Sequence, residues 1–403
     1  MKKLMILGAG SCQVNAIKRI KSLGYTAIAS DYNEDSIGKQ YADTAVLADT
    51  FSYEETLKAA EAHHIDGIMT SGTDQPVLTV AKVASKLSLF SYLDEETAFN
   101  VTNKKAMKAI FKKIGIPTVD YQIINKKSKI KIKGPYVLKP LDSQGQRGIH
   151  YCESELDVYE CIDDTLSYSK LDEVLLESYY ENKEVTVSGW VRDGQVHILT
   201  ITDRVTFTTK AQLGVCLSHE YPTIHQSHLP ELKDYTYQIC RGFNIDKGPI
   251  YFQFLVGNEG VKVNEIACRI GGAYEDVTIP MVTGVDILSM QIEESLDHEV
   301  EFCRKDNNLV FSTQLFFCKP GRISHMTPIE KMLEQGTIVE MGYNYTIGNL
   351  IPETENASAR AGYMIIKADS EVDLVVAIEK AYDALGIYDD KENLVIRGKR
   401  YYR

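Results

Sequence analysis

Short apolar runs alternate with helical patterns through the first hundred residues. Leu4-Met5-Ile6-Leu7, Thr26-Ala27-Ile28-Ala29 and Gly67-Ile68-Met69-Thr70 read as strands. Residues 12–23, Glu54–His63 and Val77–Leu87 carry the helical spacing between and after them. Unbroken apolar strands separated by helices predict a parallel sheet with crossover helices. A further helix runs from Asn103 to Lys113 and stops at Gly115 and Pro117, as helices usually do. Residues 119–200 look strand-rich, with a helical stretch at 153–163 between Val137-Leu138 and Val174-Leu175-Leu176. Alternating strands return at 185–201 and 249–267. The last segment mixes strands (Val310–Phe317, Tyr363–Ile366) with a helix at Glu371–Leu385. The pattern is that of an α/β and α+β multidomain chain whose parts pack closely, since no repeat or low-complexity linker separates them.

Composition narrows this picture. At 403 residues the chain exceeds one ordinary core, and 44% hydrophobic with 25% charged residues is a globular balance. No apolar run approaches the ~18 residues of a membrane span. Lys2 and Lys3 precede an apolar stretch, but it is short, and Lys18, Arg19 and Lys21 follow at once. A buried first strand is the better reading than a signal segment, and a cytoplasmic protein is expected. The eight cysteines (12, 152, 161, 216, 240, 268, 303, 318) form no C-x-x-C pair, so reduced, mostly buried thiols are expected. A net charge of −12 argues against a nucleic-acid partner. The lysines between 104 and 133 are either a solvated basic face or a site for an anionic small molecule.

Gly8-Ala9-Gly10 follows a strand and opens a helix, and Asp31 ends the next strand. That is most of a dinucleotide fingerprint, but Gln13 holds the third glycine position. A dinucleotide oxidoreductase is one candidate; a strand-to-helix turn with another use is the other.

The remaining signals point to a nucleoside triphosphate. There is no G-x-x-x-x-G-K-[ST] loop and no kinase H-R-D pattern. Lys104 starts a helix, and Lys139 ends the strand Tyr-Val-Leu-Lys-Pro just before Asp142-Ser143-Gln144-Gly145-Gln146-Arg147-Gly148. A lysine beside a polar glycine loop offers a point charge and approachable N–H donors to a polyphosphate. The strand reaching Glu177, with Glu184 beyond it, suits adenine and ribose recognition. In Asn264-Glu265-Ile266-Ala267-Cys268-Arg269-Ile270-Gly271-Gly272 an acid and a guanidinium share one side of a strand. Glu265 offers the oxygen ligand that magnesium prefers, and Arg269 suits charge on a phosphoryl group in transfer.

Four such motifs in this order resemble the ATP-grasp superfamily over nearly the whole chain. The resemblance implies a preceding α/β domain at 1–100, an ATP-grasp domain at 101–310 with a small lid at about 115–185, and a C-terminal ligase subdomain at 311–403. It implies that Lys104 and Lys139 contact ATP phosphates, and that Ser143, Gln144, Gly145 and Gly148 belong to the loop covering them. Glu177, Tyr179 and Tyr180 would form the adenine hinge, and Glu184 would bind ribose. Gln253 and Glu265 would hold magnesium, or manganese in its place, and Arg269 and Lys139 would act in catalysis. Two positions depart from the family pattern: Gln253 stands where a carboxylate is common, and Ala267 where an Asn is common. A second, well-held magnesium is therefore in doubt.

The Gly321-Arg322-Ile323 and Ala359–Tyr363 segments resemble ligases that join amino acids, near the L-amino-acid ligase and carbamoyl-phosphate-synthase-like branch. The expected reaction phosphorylates a small carboxylate to an acyl phosphate and couples it to an amine, with release of ADP and phosphate. Arg269–Ile279 and Asp203–Tyr221, the latter with Arg204, Lys210 and His219, are the expected acceptor side, although a core-edge role suits His219 better than that of a base. The rivals are a bicarbonate-activating carboxylase and a nucleotide-binding relative without catalysis. Small-molecule acid and amine partners are expected, and pairing into a homodimer is left open.

Overall fold

The computed structural model describes residues 1–143 and 145–392, together with the backbone of 396–397. Strands β1 (Lys3–Leu7), β2 (Thr26–Asp31), β3 (Thr44–Leu47) and β4 (Gly67–Thr70) form a parallel sheet in the order β3-β2-β1-β4. Leu4 through Leu7 are wholly buried, as unbroken apolar strands with helices on both faces should be. Helices α1 (Val14–Ser22), α2 (Tyr53–His63) and α3 (Pro76–Leu87) supply the crossovers and flank. β3 is the strand the apolar pattern misses, because its residues alternate between half-buried and exposed at the sheet edge. A second unexpected element is α4 (Glu95–Thr102), which leads straight into α5 (Lys104–Ile114). Asn103 separates them: its extended backbone ends α4, and its side chain accepts from the Ala106 N–H to start α5.

A small antiparallel sheet follows, ordered β5-β8-β6-β7, from β5 (Tyr121–Ile124), β6 (Tyr136–Pro140), β7 (His150–Cys152) and β8 (Val174–Ser178). Helix α6 (Glu155–Ser167), with a capping box at Ser154 and Asp157, packs Val158 and Ile162 against it.

The largest sheet contains β9 (Asn182–Arg192), β10 (Gln195–Thr206), β11 (Cys216–Tyr221), β12 (Gly248–Gly257), β13 (Gly260–Ala267), β14 (Val310–Cys318), β15 (Ile338–Tyr343) and β16 (Arg360–Ala368). Their spatial order is β13-β12-β9-β10-β11-β14-β16-β15, and Ile396–Arg397 adds a short strand at the end of β14. The sheet therefore runs unbroken past residue 310, through hydrogen bonds between β11 and β14. A buried polar cluster seals that join: Glu220 Oε1 accepts from Ser312 Oγ at 2.8 Å and from Gln314 Nε2 at 3.1 Å. Helices α7 (Leu229–Gly242), α8 (Glu275–Thr283) and α9 (Ile287–Ser295) complete the central part. One apolar cluster joins α3, α4, α5 and α7 to β9, β12 and β13, so the first sheet's helices and the large sheet share a core. Among the described residues no helix is long and apolar enough to cross a membrane.

Candidate functional site

The two antiparallel sheets face each other across a cleft of about 820 Å³, counting its open mouth. Apolar side chains (Met107, Val137, Ile149, Leu175, Leu213, Leu255) line part of it, and Lys104, Lys108, Lys139, Glu177, Glu184, Gln253 and Glu265 line the rest. A slot with apolar walls and a cationic floor suits a flat base joined to a polyphosphate.

Glu177 organises the floor. Its carboxylate turns inward between two ammonium groups, Lys108 Nζ at 2.5 Å and Lys139 Nζ at 2.6 Å. Burial pushes this carboxyl up, but Lys108 and Lys139 together overcome it and bring it down to about 2. Burial likewise pulls Lys139 down, and its carboxylate neighbours, Glu177 first, more than restore it. For Lys108 burial wins, and its ammonium is held below the ordinary lysine range. The Glu177 side chain thus positions the two lysines. The backbone beside it is also engaged: the Ser178 N–H donates to Asp120 O and the Tyr179 N–H to Pro135 O. Tyr180 spends its hydroxyl on Gly260 O and the Glu259 N–H. Glu184 pairs with Arg204, which also donates to Gly214 O at 2.9 Å.

Lys139 Nζ also reaches Asn264 Oδ1 at 3.2 Å, and Lys104 Nζ lies 2.8 Å from Ser143 O and 3.3 Å from Glu265 Oε1. Lys104 can do this because it is the first residue of α5, where the side chain projects past the helix end. Gln253 and Glu265 are direct cross-strand partners on β12 and β13. Among the described residues no three His, Cys, Asp or Glu side chains gather to hold a metal. One carboxylate and one amide oxygen still fit magnesium, which is commonly held by one or two protein carboxylates together with substrate phosphates. Ala267 is buried opposite Tyr251 and offers no ligand.

The 142–148 loop is tied at its base, where Asp142 accepts from Ser169 Oγ and the Lys170 N–H. Gly145 and Gly148 have φ of +68° and +69°, conformations that favour glycine, and a Cβ at Gly148 would also strike Tyr168 at 2.7 Å. Ser143 Oγ is buried and has no hydrogen-bond partner. An unpartnered hydroxyl beside Lys104 is what a phosphate-binding turn would present. Gln144 lies outside the described residues. At its tip the loop reaches the C-terminal segment, where the Ala357 N–H lies 3.4 Å from Gly145 O.

A second, larger cavity of about 1720 Å³, again counting open solvent, adjoins the first. Lys104, Gln146, Arg204, Gln253 and Glu265 line both. Its other walls come from the ends of the first sheet's strands and the loops after them (Gly8, Asp31, Asp74), from β11 (His219), from the segment after β13 (Arg269) and from the C-terminal segment (Asn344, Arg360). Arg269 stacks over Tyr251 and sends Nε (2.7 Å) and Nη2 (2.5 Å) to Asp74 Oδ1. Gly272 lets β13's continuation touch the loop after β4. A Cβ there would sit 2.6 Å from Gly72 O, and the Gly72 N–H donates to Ile270 O at 3.0 Å. His219 is buried with Nδ1 3.2 Å from Thr202 Oγ1. Burial drives its imidazole well below the ordinary value, and Arg204 and Arg360 add to this.

The Gly8-Ala9-Gly10 turn has a local explanation. The Gln13 side chain folds over Gly8 and donates to Ser71 O, and Asp31 accepts from the Ala9 and Asn33 N–H groups. The acid that would hold a ribose is spent on the turn itself.

Of the residues picked from sequence, Lys104, Lys139, Glu177, Tyr179, Tyr180, Glu184, Gln253 and Glu265 line the smaller cavity, while Ser143, Gly145 and Arg269 line the larger. Gly148 lines neither and sits at the loop base against Tyr168 and Pro140. Sequence reasoning missed Lys108 and Asp74. Lys108 is signalled only by falling on the apolar face of α5, beside Met107 and Phe111. Asp74 lies 195 positions from its partner Arg269, and no local pattern marks it.

Residues 132–276 match a protein family described as ATP-grasp domain. An L-arginine-specific L-amino acid ligase of Bacillus subtilis is 26% identical over 360 residues, covering 83% of each chain. Dapdiamide A synthase of Enterobacter agglomerans is 22% identical over 316 residues, covering 72% of this chain and 73% of the other. Among solved structures, L-amino acid ligase from Bacillus licheniformis superposes with a TM-score of 0.81 at 15% identity, covering 97% of this chain and 99% of that one. The facing pair of antiparallel sheets, with lysines and carboxylates in the cleft, thus lies in a stretch that matches an ATP-grasp domain over residues 132–276, and the chain shares the fold of that solved ligase.

Proposed function

We propose that the protein is a ligase that phosphorylates a small carboxylate with ATP and couples the acyl phosphate to an amine, releasing ADP and phosphate. The observation that carries this reading is the shared wall. Lys104, Gln253 and Glu265 stand where a nucleotide-sized cleft opens into a larger, charged cavity. A phosphoryl group at that opening is within reach of an acid in the second cavity.

A carboxylate is a poor electrophile because its leaving group would be oxide; phosphorylation supplies a good one. The protein's contribution is alignment and charge stabilisation. Magnesium, when bound at Glu265 and Gln253, neutralises phosphate charge. Lys139, tethered by Glu177 and Asn264, and Lys104, tethered by Ser143 O and Glu265, hold positive charge in fixed places with little freedom to reorganise. Arg269, clamped by Asp74, faces the acid side. The 142–148 loop, in contact with Ala357, excludes water that would hydrolyse the intermediate.

The test is ADP release over amino acids and small carboxylates, offered alone and in pairs, with Mg-ATP. Lys139→Ala and Arg269→Ala are each expected to cut turnover at least about a hundredfold. Undiminished turnover in both would place the site elsewhere, and ADP release driven by bicarbonate without an organic acid would overturn the ligase reading.

A further inference from the structure

Arg360 opens β16 just after the short turn Ala357–Ala359 and lines the larger cavity. Two other arginines of that cavity are neutralised by neighbours, Arg204 by Glu184 and Arg269 by Asp74. Arg360 is different. Its side chain makes no ion pair or hydrogen bond with the described residues, and its Nε is sealed from solvent without a partner. Next to it, Asn344 is fixed by Nδ2 to Arg360 O at 2.9 Å and by its backbone N–H to Ala361 O at 2.8 Å. That leaves Asn344 Oδ1 buried and unpartnered on the same cavity wall. Buried donors and acceptors are almost always satisfied in folded proteins, so a guanidinium and an amide oxygen left open together mark a ligand's place. A guanidinium fork matches a carboxylate, and an amide oxygen matches an N–H.

The carboxylate concerned is not the one to be phosphorylated. That acid must meet phosphate at the wall shared by both cavities, with Arg269 already on its side, whereas Arg360 comes from the C-terminal wall of the larger cavity and not from the shared one. We propose that Arg360, with Asn344 beside it, receives the free carboxylate of the amine substrate, so that the acceptor is an amino acid and not an uncharged amine. This rests on the ligase reading above, and the C-terminal segment then selects the acceptor while the lysine cleft holds the nucleotide.

The experiment compares wild type with Arg360→Gln and Arg360→Lys. Donor acids are first found with hydroxylamine, an uncharged acceptor that traps the acyl phosphate as a hydroxamate. Acceptors are then the twenty amino acids and their carboxamides, which keep the amine and lose the carboxylate. Wild type is expected to prefer amino acids over their amides. Arg360→Gln is expected to raise the acceptor KM at least about 30-fold and to erase that preference. Its hydroxamate rate, and its KM for ATP and donor, should stay within about twofold of wild type, and Arg360→Lys should recover part of the loss. An unchanged acceptor KM, a donor KM that rises instead, or a hydroxamate rate that falls in parallel would each overturn the assignment. A wild-type enzyme that forms no hydroxamate with any donor would instead sink the ligase reading, and this assignment with it.

Discussion

Replacing Glu177 with Gln removes the carboxylate that Lys108 and Lys139 share, in a place where Lys108 cannot turn to water. Glu177 and Lys108 are both 2% exposed. The fall of the Glu177 carboxyl from its ordinary 4.5 to about 2 corresponds to about 3 kcal/mol of stabilisation. Breaking a buried pair by neutralising one partner usually costs ~3–5 kcal/mol, in line with that figure. Because the folded-state value is depressed, this stability is fully present above pH ~4.5 and drains away as pH falls toward 2. Urea unfolding at pH 7 should therefore show Glu177→Gln weaker by about 3 kcal/mol, with the gap to wild type closing between pH 4.5 and 2. Adding Lys108→Met to the variant should restore most of the loss, since it removes the more deeply buried stranded cation. A Glu177→Gln protein within about 1 kcal/mol of wild type at pH 7, or a gap indifferent to acid, would refute the reasoning.

Gly272→Ala should cost about 1–3 kcal/mol, because its Cβ would press on the Gly72 carbonyl, which is backbone and cannot swing aside. Thermal unfolding reads this, and an unshifted midpoint would mean that the loop after β4 is free to retreat. Gln253→Glu should lower the magnesium needed for half-maximal ADP release about tenfold, by placing a second carboxylate opposite Glu265. An unchanged requirement would remove position 253 from the metal site.

How much of this was legible in the sequence follows from how local each signal is. The parallel sheet was readable because Leu4–Leu7 and Gly67–Thr70 are buried on both faces and so carry unbroken apolar runs. β3 was not, because an edge strand with alternate exposure looks like loop. The lysines, Glu265 and Arg269 stood out because they interrupt strands or begin a helix. Their partners did not. Lys108 passes for an ordinary helix lysine until the fold closes over it. That Glu177 turns inward between two lysines is likewise set by tertiary packing. Asp74 and Arg360 reach the cavity from segments far apart in sequence, and only tertiary closure brings them there. Sequence exposed the charged groups, and the fold shows which of them neutralise one another.

The bond between β11 and β14 governs where this molecule tolerates shortening. A chain cut before residue 310 would leave β11 as a raw edge with a row of unanswered amides, an invitation to intermolecular pairing and aggregation. It would also take Ser312 and Gln314 away from the Glu220 carboxylate. Residues 310–392 are thus woven into the same fabric as the central sheet, and attempts to trim the protein to a minimal nucleotide binder should yield insoluble material.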